Sequence, residues 1–360
     1  MIMDNCSCKI KAGLFGQKHA SRDYTQAQYW GKNQFNSSFP ASLVAYMSSR
    51  NIDPVYITID KNNNILHRYI GCKNLFGIDP LSDDLYYDFE AGYLPYEKYY
   101  IGKREHMDLV LSNYNTNELI KGFEIKLTAL PDSTTDCLSE DQYSCELVIR
   151  PSTICYLACS ICDYYNTKLR REKLKRLLGQ FPNIKHWDVP DEVIPFYPQI
   201  VDAIARVAKD MWKYQTPLII QPVWKTRGRK SQLADNCLDV FIWSNLASIH
   251  MCTQGDPIIN KIARPNRSII WLYKMLFDFY VYGHFDYDAI INDLAYGTKN
   301  DKAFAISGAV SYPLLRSPEL LSPRVRKDEI KNIILGGGQN LLSPERRFDA
   351  ILVNSPDLFE

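Results

Sequence analysis

Two carboxylates and a lysine between residues 106 and 128 have the residue types and spacing of a phosphodiester-cleaving centre. Asp108 lies in HMDLVLSN (106–113), and Glu124 and Lys126 lie in NELIKGFEIKLT (117–128), which gives Asp-x15-Glu-x-Lys. Both segments read as β-strands, and the Asn/Thr-rich 113–117 between them predicts an antiparallel hairpin. On such a hairpin Asp108 and Glu124 can meet on one face. Like charges that close repel unless a cation lies between them. Mg²⁺ is typically held by one or two carboxylates plus water and phosphate oxygens. Lys126 beside them has the charge to orient or deprotonate a water, or to stabilise the attacked phosphate. Together these parts suit metal-assisted hydrolysis. The same strand alternates Phe123, Ile125 and Leu127 with Glu124, Lys126 and Thr128, so a solvated ion pair on a half-buried strand also fits. Glu118 and Asp132 are rival acids, and Glu118 shares the parity of Glu124.

The elements that must position these residues alternate between strands and helices. Strands are predicted at 54–60, 106–113, 117–128, 145–151, 216–226 and 237–245. Helices are predicted at 39–51, 152–178, within 190–215 and at 267–283, the last largely apolar. The 152–178 helix has Ser152 or Thr153 as its N-cap candidates, and 84–100 is aromatic and irregular. The pattern describes one large α/β (α+β) domain spanning 1–360, a mixed β-sheet flanked by helices with elaborations. Its core is expected at about 39–180 and its recognition elaborations at about 216–350.

A net charge of +1 neither demands nor excludes nucleic acid, because a cleft needs local positive charge rather than a basic average. No apolar run reaches transmembrane length and the first residues lack a signal-peptide core, so a cytoplasmic protein without a membrane partner is expected. Ten cysteines in such a chain are then reduced thiols rather than a disulfide framework. Three of them, Cys155, Cys159 and Cys162, spell Cys-x3-Cys-x2-Cys, the spacing with which radical S-adenosylmethionine enzymes hold an iron–sulfur cluster. Cluster ligation needs the thiolates to converge from a loop. Here i, i+4 and i+7 share one face of a predicted helix, where cysteine serves as a small apolar core residue.

The residues Asp108…Glu124-Ile125-Lys126 resemble the PD-(D/E)xK nuclease pattern, with Met107 where that pattern usually has proline. More specifically, FEIKLTALPDSTT, ELVIRPSTICYLACSICDYYN and GGGQNLLSPERRFD are similar to the HindVP-like type II restriction endonucleases, a resemblance that spans most of the chain. It implies a restriction-endonuclease-like fold and a homodimeric, Mg²⁺-dependent enzyme. Such an enzyme cuts double-stranded DNA at a short, GC-rich palindromic site, and a cognate DNA methyltransferase acts on the same site. By the same resemblance Asp108 and Glu124 are metal ligands and Lys126 activates the water.

Cutting a duplex requires phosphate contacts for register and base-edge contacts for specificity. The basic loop WKTRGRKSQ (224–232) offers Lys225, Arg227, Arg229 and Lys230 as a groove-entering element, Arg being suited to guanine O6 and N7. A solvated hairpin tip fits the same residues. KLRREKLKR (168–176) is more basic but continues a helix, and reads as a solvated face or a phosphate contact. Arg346 and Arg347 follow Gly-rich turns, where both a phosphate contact and a structural cap fit them. Two other classes compete: a radical S-adenosylmethionine enzyme using Cys155, Cys159 and Cys162, and a non-catalytic DNA-binding protein in which Glu124 and Lys126 merely pair.

Overall fold

The computed structural model describes most of residues 51–131, 146–211 and 261–307, with four short strands between 218 and 242. The expected helix at 39–51, apart from its last residue, and the segment 308–360 with Arg346 and Arg347 lie outside the described residues. The hairpin β1 (Val55–Ile59) and β2 (Ile65–Tyr69) opens the described chain. β3 (Leu85–Ala91) follows, then a short helix α1 (Leu94–Glu97) and β4 (Tyr100–Ile101). The aromatic stretch 84–100 is thus a strand at its start, not irregular throughout, and Tyr99 and Tyr100 at its end are buried.

The Asn/Thr-rich turn forms as its residues predict. Asn113 Oδ1 accepts hydrogen bonds from the backbone N–H groups of Asn115 (2.9 Å) and Thr116 (3.0 Å), the local bonding by which Asn initiates turns. Asn117 adopts the left-handed conformation with φ 57°, which Asn tolerates better than most residues. The turn joins β5 (Met107–Asn113) to β6 (Leu119–Phe123) with partners Leu109↔Phe123, Val110↔Gly122 and Leu111↔Lys121. β3 pairs along the other edge, so β5 is the middle strand of the sheet β3-β5-β6. Val110 and Leu111 are both 0% exposed. Successive strand residues face opposite ways, so β5 is covered on both faces.

The predicted strand 117–128 is in fact divided. β6 ends at Phe123, and β7 (Lys126–Pro131) belongs to a second sheet, ordered β2-β1-β9-β12-β7, in which β9 is Leu218–Ile220 and β12 is Cys237–Ile242. The division follows from pairing: β7 takes β12 as its partner from Lys126↔Ile242 to Pro131↔Cys237. β7 is the edge strand of that sheet, so Pro131, which lacks an N–H, can end a strand that runs past the predicted limit at Thr128. β9 pairs with β12 on its inner side.

β8 (Glu146–Ile149) leads into the helical layer and pairs with β14 (Phe304–Ser307). The predicted helix 152–178 is two helices, α2 (Pro151–Tyr164) and α3 (Lys168–Leu178). Arg150 is the N-cap of α2 without a side-chain bond, and Pro151 takes the first helical position; Ser152 and Thr153 lie inside the helix. Thr167 caps α3 by accepting from Arg170 N–H. After a turn at α4 (Pro190–Val193), α5 (Tyr197–Met211) packs on α3, and the buried Asp210 joins them. It accepts from Tyr165 Oη at 2.7 Å and from Lys173 Nζ at 2.6 Å. α6 (Arg264–Tyr282) runs through the core as its apolar sequence predicts, with Ile269, Ile270, Trp271 and Leu276 buried. β13 (Phe285–Asp286), parallel to β4, and α7 (Tyr287–Asp293) close this layer. Among the described residues no helix is long and apolar enough to cross a membrane.

Candidate active site

Asp108 is the second residue of β5, flanked by the register pairs that hold the three-stranded sheet together. On the β6 side the ladder reaches Leu109↔Phe123, one step short of Asp108. On the β3 side Phe89 pairs with Leu109 and Ala91 with Met107, which sets Glu90 at the position directly opposite Asp108. Directly opposed residues of an antiparallel pair share a face of the sheet, and like charges there destabilise it. Glu90 was not among the sequence candidates, because DLYYDFEAGY offers too many aromatic residues for its alternation to show. The signal that could have found it is Asp88-Phe89-Glu90, a polar–apolar–polar step inside an aromatic run.

Glu124 lies outside the described residues. Lys126 is the first residue of β7, three peptide steps beyond Phe123 and therefore no more than about 11 Å along the chain from it. Lys126 thus begins a strand of the second sheet, not the middle of the strand that pairs with β5. The rival Glu118 is exposed at the turn end of the hairpin, beside Asn113, whose N–H donates to its carbonyl (2.8 Å). Asn113 is five residues from Asp108, about 17 Å along a strand, which separates Glu118 from the Asp108 end. Asp132 lies outside the described residues.

Met107 and Gly122 are fitted to each other beside Asp108. Met107 is 1% exposed and packs with Val110 and with Tyr156 of α2. A Cβ on Gly122 would overlap the Met107 sulfur and stand 3.2 Å from Tyr93 Cγ. The thioether therefore fills the space that the glycine leaves. Gly122→Ala is expected to destabilise the protein by about 1–3 kcal/mol through overpacking, measured by urea denaturation. Adding Met107→Ala should recover part of that loss, whereas equal stability of Gly122→Ala and wild type would contradict this packing.

The basic loop is organised as a ribbon. β10 (Thr226–Arg227) pairs antiparallel with β11 (Lys230–Leu233), and Arg227 is opposite Lys230. Lys225 and Arg229 lie outside the described residues. Ribbon and connections occupy the chain between β9 and β12 and rejoin the sheet at Cys237. Lys126 pairs with Ile242 at the opposite end of β12, about 17 Å away along the strand. A two-stranded ribbon is one of the elements that a DNA major groove admits.

The three cysteines are core side chains. Cys155, Cys159 and Cys162 are each 0% exposed within α2, as the helical spacing predicts. Burial pushes all three thiols above their ordinary pKa, and Cys155 and Cys159 hydrogen-bond each other. Thiols on one buried helical face do not form the loop that a cluster needs. With the protein folded at pH 8 these cysteines should resist alkylation, and in denaturant they should be modified. Peptide mass spectrometry reads this directly, and equal labelling in both conditions would contradict their burial.

Comparison with known proteins identifies the chain. The HindVP restriction endonuclease family model matches residues 30–359. The chain belongs to the HindVP restriction endonuclease family. Type II restriction enzyme HgiDI of Herpetosiphon aurantiacus is 42% identical over 350 residues, covering 97% of both chains. Probable type II restriction enzyme HindVP of Haemophilus influenzae is 42% identical over 355 residues, covering 97% of this chain and 96% of that one. No solved structure matches. Family membership makes the chain a restriction endonuclease, which sets aside both the iron–sulfur enzyme and the non-catalytic DNA-binding protein.

Proposed function

We propose that this member of the HindVP family is a Mg²⁺-dependent type II endonuclease that hydrolyses phosphodiester bonds of double-stranded DNA at a short, GC-rich palindrome. The observation that carries the reaction is 42% identity, across 97% of the chain, to proteins named as type II restriction enzymes. A homodimer matches a palindromic site, since two-fold symmetry in the protein mirrors two-fold symmetry in the DNA. Action in the cytoplasm, beside a methyltransferase that marks the same sequence, completes this reading.

The site is read as Asp108, Glu124 and Lys126 of the PD-(D/E)xK pattern. Glu90 is a further oxygen donor, motivated by its register position opposite Asp108. Carboxylates opposed across two strands fit a hard divalent cation, which prefers oxygen ligands. Asp108 and Glu124 would hold Mg²⁺, whose chemistry there is to neutralise charge on the scissile phosphate. Lys126 orients the attacking water and offsets negative charge on the phosphate. The water oxygen bonds to phosphorus as one P–O bond of the backbone breaks. Lys225, Arg227, Arg229 and Lys230 contact the duplex, with the arginines as candidates for guanine edges.

Digestion of a plasmid of known sequence with and without Mg²⁺, followed by mapping of the ends, tests the reaction. Discrete fragments with ends at one palindrome, formed only with the metal, are expected. Random nicking, or unchanged cutting in excess chelator, would contradict the reading.

A further inference from the structure

The helical layer carries a groove that the catalytic reading leaves unused. It has a volume of about 650 Å³ and runs between α3 and the C-terminal end of α6, lined by Asn166, Lys168, Arg171, Glu172, Tyr280 and Val281. Lys168, Arg171 and Lys175 occupy i, i+3 and i+7 of α3, so they form one stripe on the flank that faces α6. Arg171 is held in place: its guanidinium lies 4.9 Å from the Phe279 ring centre and its Nη2 is 3.5 Å from Asn166 Oδ1. Its Nε is buried, with no hydrogen-bond partner among the described residues. Lys175 Nζ is 5.4 Å from the Tyr280 ring centre. Lys168 is exposed and forms no ion pair among the described residues. Glu172 is the one carboxylate lining the groove, so the stripe keeps a net positive charge.

Arg171 and Lys175 help to tie α3 to α6 through the Phe279 and Tyr280 rings, but Lys168 has no such contact among the described residues. Lys173 bonds Asp210 and thereby ties α3 to α5. The first turn of α3, by contrast, holds Lys168 and Arg170 and no acid. Cations at the positive end of a helix dipole cost stability. An anionic partner in the groove reverses that sign. Lys168 and Lys175 are seven residues apart, about 10 Å along the helix, close enough for both to reach neighbouring phosphates of one strand. The exposed Val281 and Tyr282 beside the groove give apolar surface suited to sugar faces.

The groove is also tied to the candidate active site. Tyr156 of α2 packs on Met107 and Val110 of β5. Eight residues further, about 12 Å, α2 ends at Tyr164 and the chain enters the groove.

We propose that the α3–α6 groove binds the DNA backbone, its Lys168–Arg171–Lys175 stripe holding phosphates outside the bases that are read. This rests on the reading of the protein as a nuclease of duplex DNA. It assigns to the stripe affinity without sequence preference, the role of phosphate contacts in general.

The test is binding of a labelled duplex by full-length protein, followed by fluorescence anisotropy in chelator across a salt series. Lys168→Gln/Lys175→Gln should flatten the slope of log K against log[salt] by about two. It should weaken cognate and non-cognate duplexes by the same factor and leave the mapped cut position unchanged. Lys168→Arg should keep the wild-type slope, and Arg176→Gln, on the outer side of α3, should keep it as well. A wild-type slope in a double variant whose melting temperature is unchanged overturns the groove while leaving the nuclease intact. If the double variant does not fold, Lys168→Gln alone decides by a slope change of about one. Wild-type protein that neither binds nor cuts duplex DNA overturns both proposals.

Discussion

Replacing Lys126 by alanine is expected to slow DNA cleavage by roughly 10²–10⁴-fold, the usual worth of a positioned acid–base or charge-stabilising group. Binding of the cognate duplex should stay within a few-fold of wild type, because one ammonium among many phosphate contacts adds little affinity. Single-turnover cleavage together with anisotropy in chelator separates the two effects. Lys126→Arg should not restore the rate, since a planar guanidinium does not replace a compact ammonium at a fixed point. The expectation has a structural edge. Lys126 opens β7 and is paired through the backbone with Ile242, so a change of its side chain leaves the ladder in place. A variant that cuts at the wild-type rate would remove Lys126 from the site.

The largest expected effect on stability is at Arg267, a side chain that takes no part in the proposed chemistry. Arg267 is 0% exposed in α6, with its guanidinium stacked 4.1 Å from the Trp271 ring centre. Its Nη1 donates to Thr298 Oγ1, to the Lys299 carbonyl at 3.1 Å and to Asn300 Oδ1 at 3.3 Å. Its Nη2 donates to the Lys302 carbonyl at 2.6 Å and to the Ala303 carbonyl at 3.3 Å. Burial lowers its pKa to about 10, still well above neutrality, so the group stays charged. One guanidinium thus closes the loop that delivers β14 to β8, and β8 leads into α2. Arg267→Ala removes the donor from all of those acceptors at once, of which the Ala303 carbonyl is buried and the others part-buried. It should cost on the order of 3 kcal/mol or more, read as a lower midpoint in urea. Arg267→Lys keeps the charge but loses the fork, and should fall between alanine and wild type. A loss below about 1 kcal/mol in the alanine variant would show that the loop is held by other contacts.

These two residues also mark what the sequence could and could not disclose. The hairpin was legible because Asn113 and Asn117 have local reasons to turn the chain. The cysteines of α2 were legible because a spacing of i, i+4 and i+7 names a helical face before any partner is known. The division between β6 and β7 was not legible. It depends on β12, more than a hundred residues away, drawing Lys126–Pro131 into another sheet. Glu90 was hidden for the same reason, since its meaning comes only from the β3–β5 register. The break between α2 and α3 rests on Thr167 as a cap inside a sequence whose propensity runs on as helix. The chemistry of Arg267 comes wholly from tertiary contacts, and nothing local in RPNRSIIW distinguishes it from a surface arginine.

The central claim is that the Asp108 end of β5 is where a divalent cation meets the scissile phosphate. Titration of the DNA-bound protein with Mn²⁺, followed by electron paramagnetic resonance, tests it most directly. Tight Mn²⁺ binding is expected in wild type and in Lys126→Ala, and it should be lost in Asp108→Asn and in Glu124→Gln. Undiminished Mn²⁺ binding in both carboxylate variants, with both still folded and bound to DNA, would contradict the account.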